Sequence, residues 1–188
     1  SITGERHEAA VLAPVIERKA GPHLLFTKRA EDLGEHPGQM SFPGGGREPE
    51  DGTLRETALR EADEEIGLYP READPVGRLD DIQTVTHYSV RPFVARVPDR
   101  TYDPDEREVA EVAVLPVAAF LDPSNHESEY RSHPQYGEVL VHYFYVDDYT
   151  VWGATARILV QLLELTIDWS APGTPDRATE SDPDADSG

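Results

Sequence analysis

Glu61, Glu64 and Glu65 stand three and four apart in "READEEIGL", residues 60–68. On a helix that spacing puts three carboxylates on one face, about one turn apart, where like charges repel. With ~100° per residue and Leu54 as origin, Ala58, Ala62, Ile66 and Leu59 fall at roughly 40°, 80°, 120° and 140° and form an apolar stripe. Glu65 falls inside the edge of that stripe and Glu61 beside it; Arg55 intrudes on it. A half-buried carboxylate without a partner is costly and is neutralised, paired or bound to a cation. Arg60 pairs at i±4 with Glu56 or Glu64, and its place on the wheel faces away from Glu61 and Glu65. A divalent ion with oxygen ligands, Mg²⁺ or Mn²⁺, suits such a set and keeps waters for phosphate oxygens. The helix alone fits a metal site and a solvated acidic face equally well.

Upstream lies "FPGGG", residues 42–46. Consecutive glycines allow close backbone approach to a ligand, and their amides and carbonyls can meet phosphate or metal. Taken together, the glycine loop followed by Arg60-Glu61-x-x-Glu64-Glu65-x-Gly67 resembles the Nudix hydrolase box, G-x5-E-x7-R-E-U-x-E-E-x-G-U with U apolar. Ala62 and Leu68 fill two U positions. The first half departs: counting back from Arg60, the first box glutamate falls on Gly52, with Glu48, Glu50 and Asp51 close but out of register. That glutamate commonly braces the box arginine, a role left here to Glu56 or Glu64.

"LFTKRAEDLGEHPGQMSFPGG", residues 25–45, is similar to the signature of the coenzyme A pyrophosphatase branch of that family. Thr27, Arg29, Gly38, Phe42, Pro43, Gly44 and Gly45 are in register, and His36 and Gln39 are of the types often found there. Phe26 replaces a leucine, and Gly34 stands where a second arginine is expected. Further similarity covers 91–97, 106–121 and 152–165.

The resemblance implies hydrolysis of a nucleoside diphosphate linked to another moiety, with ions on Glu61, Glu64 and Glu65 and a Gly45 or Gly46 carbonyl assisting. For coenzyme A (CoA) the products are adenosine 3′,5′-bisphosphate and 4′-phosphopantetheine. Glu64 is a candidate base; Glu108 and Glu111 are others, set against a plain solvent-facing strand edge. Arg60 supports the catalytic set. Arg29, His36, Gln39 and Phe42 are the substrate-binding candidates, with a surface ion pair to Glu31 or Asp32 the competing role for Arg29. ADP-ribose or NADH is the alternative substrate, favoured by Gly34, and a non-catalytic ligand-binding module is a more distant one.

These residues need a scaffold, and 188 residues suffice for one domain with a sizeable core. Apolar runs at 8–17 and 23–29, split by Gly21-Pro22, read as an antiparallel strand pair. Residues 30–52 read as loop. Residues 53–66 read as the glutamate helix, with Asp51 or Thr53 as N-cap and Gly67 as its left-handed stop. Strands follow at about 75–86, 89–97, 108–115 and 138–146, with helices near 117–121 and 153–167. The order implies an α/β fold, and the resemblance a Nudix-type α/β/α sandwich with a central mixed sheet. The expected domain is 1–169, followed by a disordered acidic tail, 170–188. Tyr136, Tyr143 and Tyr145 read as core residues and Trp152 as a packing residue. His87, His126, His133 and His142 show no zinc-ligand spacing.

Cysteine is absent, which excludes disulfides and thiolate chemistry. No run approaches ~20 apolar residues and no signal-peptide pattern is read, so a cytoplasmic protein without membrane partner is expected. Asp and Glu total 37 against 17 Lys and Arg, a net −20, and only Lys19 and Lys28 are lysines. Such a coat resembles that of a salt-accumulating halophile and argues against nucleic acid as partner. A small nucleotide is the expected partner, and a homodimer is among the open oligomeric states.

Overall fold

The computed structural model describes residues 6–30 and 38–166. Gly34, His36 and the tail expected from residue 170 lie outside the described residues. The elements are β1 (His7–Arg18), β2 (Gly21–Arg29), β3 (Met40–Ser41), β4 (Gly44–Gly46), α1 (Leu54–Ile66), β5 (Asp74–Arg78), β6 (Ile82–Gln83), β7 (Tyr88–Arg96), β8 (Val109–Pro116), α2 (Val117–Leu121), β9 (His126–His133), β10 (Gly137–Val146), β11 (Tyr149–Trp152) and α3 (Gly153–Thr166).

Eight strands form a mixed sheet along the path β3-β2-β1-β7-β5, with β4 beside β1, β6 on β7 and β8 on β2. β1 and β7 run parallel, His7 opposite Tyr88 and Val15 opposite Arg96. The other pairs, β1–β2 among them, are antiparallel. β9, β10 and β11 make a separate antiparallel sheet.

Alternation along β1 and β2 builds two cores. Ala9, Ala13, Leu24 and Phe26 face one side, where α2, α3 and the small sheet supply Phe120, Leu159, Leu163 and Phe144. Ala10, Leu12, Ile16 and Leu25 face the other, where α1 brings Leu54, Ala58, Ala62 and Ile66. A sheet covered on both faces explains why 24–26 is a continuous buried run rather than an alternating one. This is the expected α/β/α sandwich around a mixed sheet.

Four expectations need correction. The stretch 30–52 contains β3 and β4. The single strand expected at 75–86 is two pieces, β5 and β6. β9 and β11 were not legible as strands. Tyr136 and Tyr145 are not core residues: they are 48% and 39% exposed. Tyr145 donates its hydroxyl to Glu127 at 3.1 Å and Tyr143 donates to Glu129 at 3.0 Å, so these rings decorate the small sheet instead of filling it.

Candidate active site

α1 starts and stops where its caps dictate. Thr53 is the N-cap, its hydroxyl accepting the Glu56 N–H at 3.1 Å. Gly67, at φ 69°, is the left-handed end. The last turn holds no basic residue of its own, although it carries Asp63, Glu64 and Glu65 at the negative end of the helix dipole. The missing cation comes from elsewhere: Arg100 donates to the Gly67 carbonyl at 2.9 Å while it is held by Glu72 at 2.6 and 2.8 Å.

Arg60 is the centre of the site's charge network. Its guanidinium meets Asp51 through two parallel hydrogen bonds, Nε to Oδ1 at 3.0 Å and Nη2 to Oδ2 at 2.9 Å. Nη1 also donates to Glu61 at 3.1 Å and to Glu64 at 3.3 Å, and Nη2 donates to the Gly46 carbonyl at 3.1 Å. Arg60 thus reaches Glu61, which the helical wheel had it face away from. Its main brace is Asp51, neither Glu56 nor Glu64. Glu56 instead accepts the Gly52 N–H at 2.7 Å.

Asp51 is buried and fully used. It accepts from the Thr57 hydroxyl at 2.9 Å and the Glu48 N–H at 2.9 Å as well as from Arg60. The Arg60 hydrogen bonds, helped by the Glu48 amide, hold its carboxyl well below the usual range, and Arg60 is raised in return, chiefly by Asp51.

β4 brings the glycine loop against α1. It pairs with β1, Gly44 opposite Val11 and Gly45 opposite Ala10. A Cβ at Gly44 would lie 2.4 Å from the Ala10 oxygen, and one at Gly45 would lie 2.7 Å from the Glu61 carboxyl. At Gly44 the neighbour is fixed backbone, so only glycine fits; at Gly45 a side chain would push the Glu61 carboxyl aside. The Gly44 N–H donates to Glu65 at 3.0 Å.

Glu65 carries the largest cost in the site. Burial pushes its carboxyl up to about 8 against the opposing Gly44 hydrogen bond, and the charges of Glu61, Glu108 and Glu64 add to the rise. Glu61 is also raised, first by burial, with Arg60 opposing. Glu64 is exposed.

The electrostatic coupling brings Glu108 into this group. The Asp105 N–H donates to the Glu65 carbonyl at 2.8 Å, and the Glu108 carbonyl accepts the Ala30 N–H at 3.0 Å. The loop before β8 is therefore fastened between α1 and the end of β2. Glu111 is further along β8, opposite Lys28, and accepts the Tyr149 hydroxyl.

Of the substrate-binding candidates, Arg29 is exposed at the end of β2, and its guanidinium makes no hydrogen bond or ion pair with any described residue. Its backbone is tied to the signature loop: its N–H donates to the Gln39 carbonyl at 2.9 Å and its carbonyl accepts the Gly38 N–H at 3.1 Å. Gln39 lines a cleft of ≈ 300 Å³ with Lys28, Gly38, Asp148, Tyr149 and Trp152. Phe42 is the exception: it is 2% exposed and stacks on Phe26 at 4.7 Å, so it packs the core and its ring is closed to a ligand. His36 lies outside the described residues.

Among the described residues no group of three or more Asp, Glu or His side chains is arranged to hold a metal ion. The donor chemistry nonetheless fits a hard divalent cation. Glu61 and Glu65 are oxygen donors, desolvated and mutually repelled, and Glu64 and Glu108 add to the same field. His126 and His142 meet at 2.9 Å in the small sheet, with no carboxylate completing a set.

The NUDIX domain family matches residues 6–136. An uncharacterised Nudix hydrolase, NudL, of Enterobacter sp. is 38% identical over 161 residues, spanning 84% of this chain and 81% of that protein. The NudL of Escherichia coli O1:K1 is 36% identical over 164 residues, 85% of this chain and 83% of the other. Among solved structures, the M. smegmatis Nudix hydrolase RenU superposes with a TM-score of 0.52 at 22% identity, over 60% of this chain and 72% of that one. The C. elegans Ap4A hydrolase in a binary complex gives 0.51 at 15% identity, over 58% of this chain and 80% of that one. These structures share the fold.

Proposed function

The chain belongs to the Nudix hydrolase family, whose members act on phosphorus-containing anhydrides, and from that premise we propose that it is a CoA diphosphatase. The reaction adds water across the diphosphate of CoA or a derivative. One P–O–P bond breaks, giving adenosine 3′,5′-bisphosphate and 4′-phosphopantetheine.

The observation that carries the catalytic reading is Glu65, a carboxylate held half-buried against the Gly44 amide with three acidic neighbours raising its proton affinity. Such a group is poised for a cation. Glu61, Glu64 and Glu65, with the Gly45 carbonyl, would hold Mg²⁺ or Mn²⁺, which when bound supplies charge neutralisation for the diphosphate and an acidified water. Arg60, fixed by Asp51, orients Glu61 and Glu64 and keeps the glycine loop in place through Gly46. Glu64 and Glu108 are the candidates to accept the proton of the attacking water, Glu64 from the exposed face of α1 and Glu108 from the loop beside it.

The CoA assignment rests on the signature around Arg29. With its guanidinium unengaged by described residues, Arg29 is available for a phosphate on a chain otherwise short of cations. Gly34, where a second arginine is expected, favours the alternative of ADP-ribose or another nucleoside diphosphate derivative. The test is hydrolysis of CoA against ADP-ribose with Mg²⁺ and Mn²⁺ at high KCl, with product identification. Faster cleavage of CoA supports the proposal; faster cleavage of ADP-ribose moves the assignment to the alternative.

A further inference from the structure

A second concave site lies on the other edge of α1. The helix packs chiefly over β1, short of the edge strand β5. Between α1 and β5 runs a groove of ≈ 230 Å³ whose accessible apolar lining is Leu59, Ala73, Pro75 and Phe93. Arg55 from α1 and Arg78 from the end of β5 both line it. On the helix, Arg55 and Leu59 are roughly 80–160° around from Glu61 and Glu65, so the groove does not open on the acidic site.

Like Arg29, these two arginines are uncommitted cations on an acidic chain. Acids outnumber bases 37 to 17 in this chain, and seven other arginines form ion pairs. Arg55 and Arg78 make no hydrogen bond or ion pair with any described residue. Arg78 lies in the field of Asp81, but that carboxylate is taken up by Arg91 at 2.9 and 3.2 Å. Two uncommitted guanidinium groups at an apolar trough complement a ligand with an apolar body and an anionic head. The small volume and the paired cations suit a small anion better than the broad face of a second copy.

We propose that this groove binds a short-chain carboxylate, its tail along Leu59 and Phe93 and its head on Arg55 and Arg78. The trough has the room of about eight waters at ~30 Å³ each and is smaller than the ~300 Å³ of drug-sized sites, which limits the tail to fewer than about ten heavy atoms. The site is independent of the diphosphatase reading and of its metal.

The test is calorimetric titration of the full chain with octanoate, and with octylammonium as the opposite-charge control, at fixed KCl. Octanoate is expected to bind saturably at one site, octylammonium not at all, and CoA not to compete. Arg55→Gln/Arg78→Gln is expected to weaken octanoate at least about tenfold. So is Gly77→Asp, which brings a carboxylate to the groove at a place where an added Cβ meets nothing within 4 Å. Both variants should keep the wild-type rate of CoA hydrolysis and unfolding midpoint. No saturable octanoate binding, equal binding of octylammonium, unchanged affinity in folded variants, or displacement of octanoate by CoA would each overturn the proposal. So would a dimer that the double substitution dissociates, because a second copy would then be the occupant.

Discussion

Arg60 and Asp51 are nine residues apart and joined by two parallel hydrogen bonds of 3.0 and 2.9 Å, and this pair locks the glycine loop to the glutamate helix. Asp51 closes the loop through Glu48 and enters the helix through Thr57, while Arg60 reaches Glu61, Glu64 and Gly46.

Asp51→Asn should therefore damage both stability and turnover. An amide keeps the volume but loses the charge-assisted pair, a change of roughly 1–3 kcal/mol in unfolding free energy. Arg60 would swing toward Glu61 and Glu64 and compete with any cation there. The expected signature is a kcat loss of about tenfold or more with a higher Mn²⁺ requirement, measured by metal titration of the rate. A destabilised variant with an unchanged metal requirement would reduce Asp51 to a structural residue.

Glu72 and Arg100 give a pH test remote from the acidic site. Arg100 holds the Glu72 carboxyl down to about 2, from an ordinary value of 4.5. A carboxyl depressed on folding contributes stability that is complete above its unfolded value and is lost as pH falls through its folded value. Wild type should exceed Glu72→Gln in unfolding midpoint at pH 6, and the gap should close as pH falls from about 5 toward 2. A gap independent of pH would mean that the Arg100 pair does not hold the end of α1 by charge.

The salt response tests the reading of −20 with two lysines. The Debye length falls from ~10 Å at 0.1 M to ~3 Å at 1 M, which screens the acidic coat. The unfolding midpoint should rise as KCl goes from tenths molar to molar. A flat midpoint over that range would contradict a halophilic adaptation.

The periodic parts of the molecule were legible in the sequence, and the parts set by reach and by loops were not. Helix α1, its Gly67 stop and its stripe through Ala58, Ala62 and Ile66 follow from spacing and residue type, which leave the N-cap between Asp51 and Thr53; the structure makes it Thr53. The wheel fails for Arg60, because it gives the direction of a Cβ and not the reach of a long side chain. Nothing in the sequence singles out Asp51 as the brace, because a loop has no period to carry a register. β9, "HESEYRSH", has no apolar face and is held to β10 by backbone pairing, so no hydrophobic signal marks it. Phe42 belongs to a motif of site residues, yet its ring supports the loop from below; a motif records position and not the direction a side chain takes.

Arg29 is the proposed phosphate contact, and its substitution tests substrate choice. If it carries phosphate recognition, Arg29→Ala should raise KM for CoA more than for dephospho-CoA, which lacks the 3′-phosphate. A charge-assisted contact contributes ~1.5–3 kcal/mol, or roughly ten- to a hundredfold in kcat/KM. Equal wild-type values for the two compounds, and an equal effect of the substitution on both, would show that 3′-phosphate recognition has been lost with the arginine that Gly34 replaces.

The most direct test of the central claim is the rate of CoA hydrolysis by Glu61→Gln and Glu65→Gln beside wild type, with Mg²⁺ or Mn²⁺ present. Each substitution removes a charge from the acidic site at almost constant volume, and in Glu65→Gln the new side-chain carbonyl can still accept the Gly44 N–H. Turnover should fall ~10²-fold or more, in the range seen when transition-state charge stabilisation is lost. In the metal-free protein Glu65→Gln should raise the unfolding midpoint above pH 8, where the buried wild-type carboxylate is charged, and the gain should fade as pH falls toward the ordinary carboxylate range. Wild-type rates in both variants would return these glutamates to the acidic coat and contradict the account.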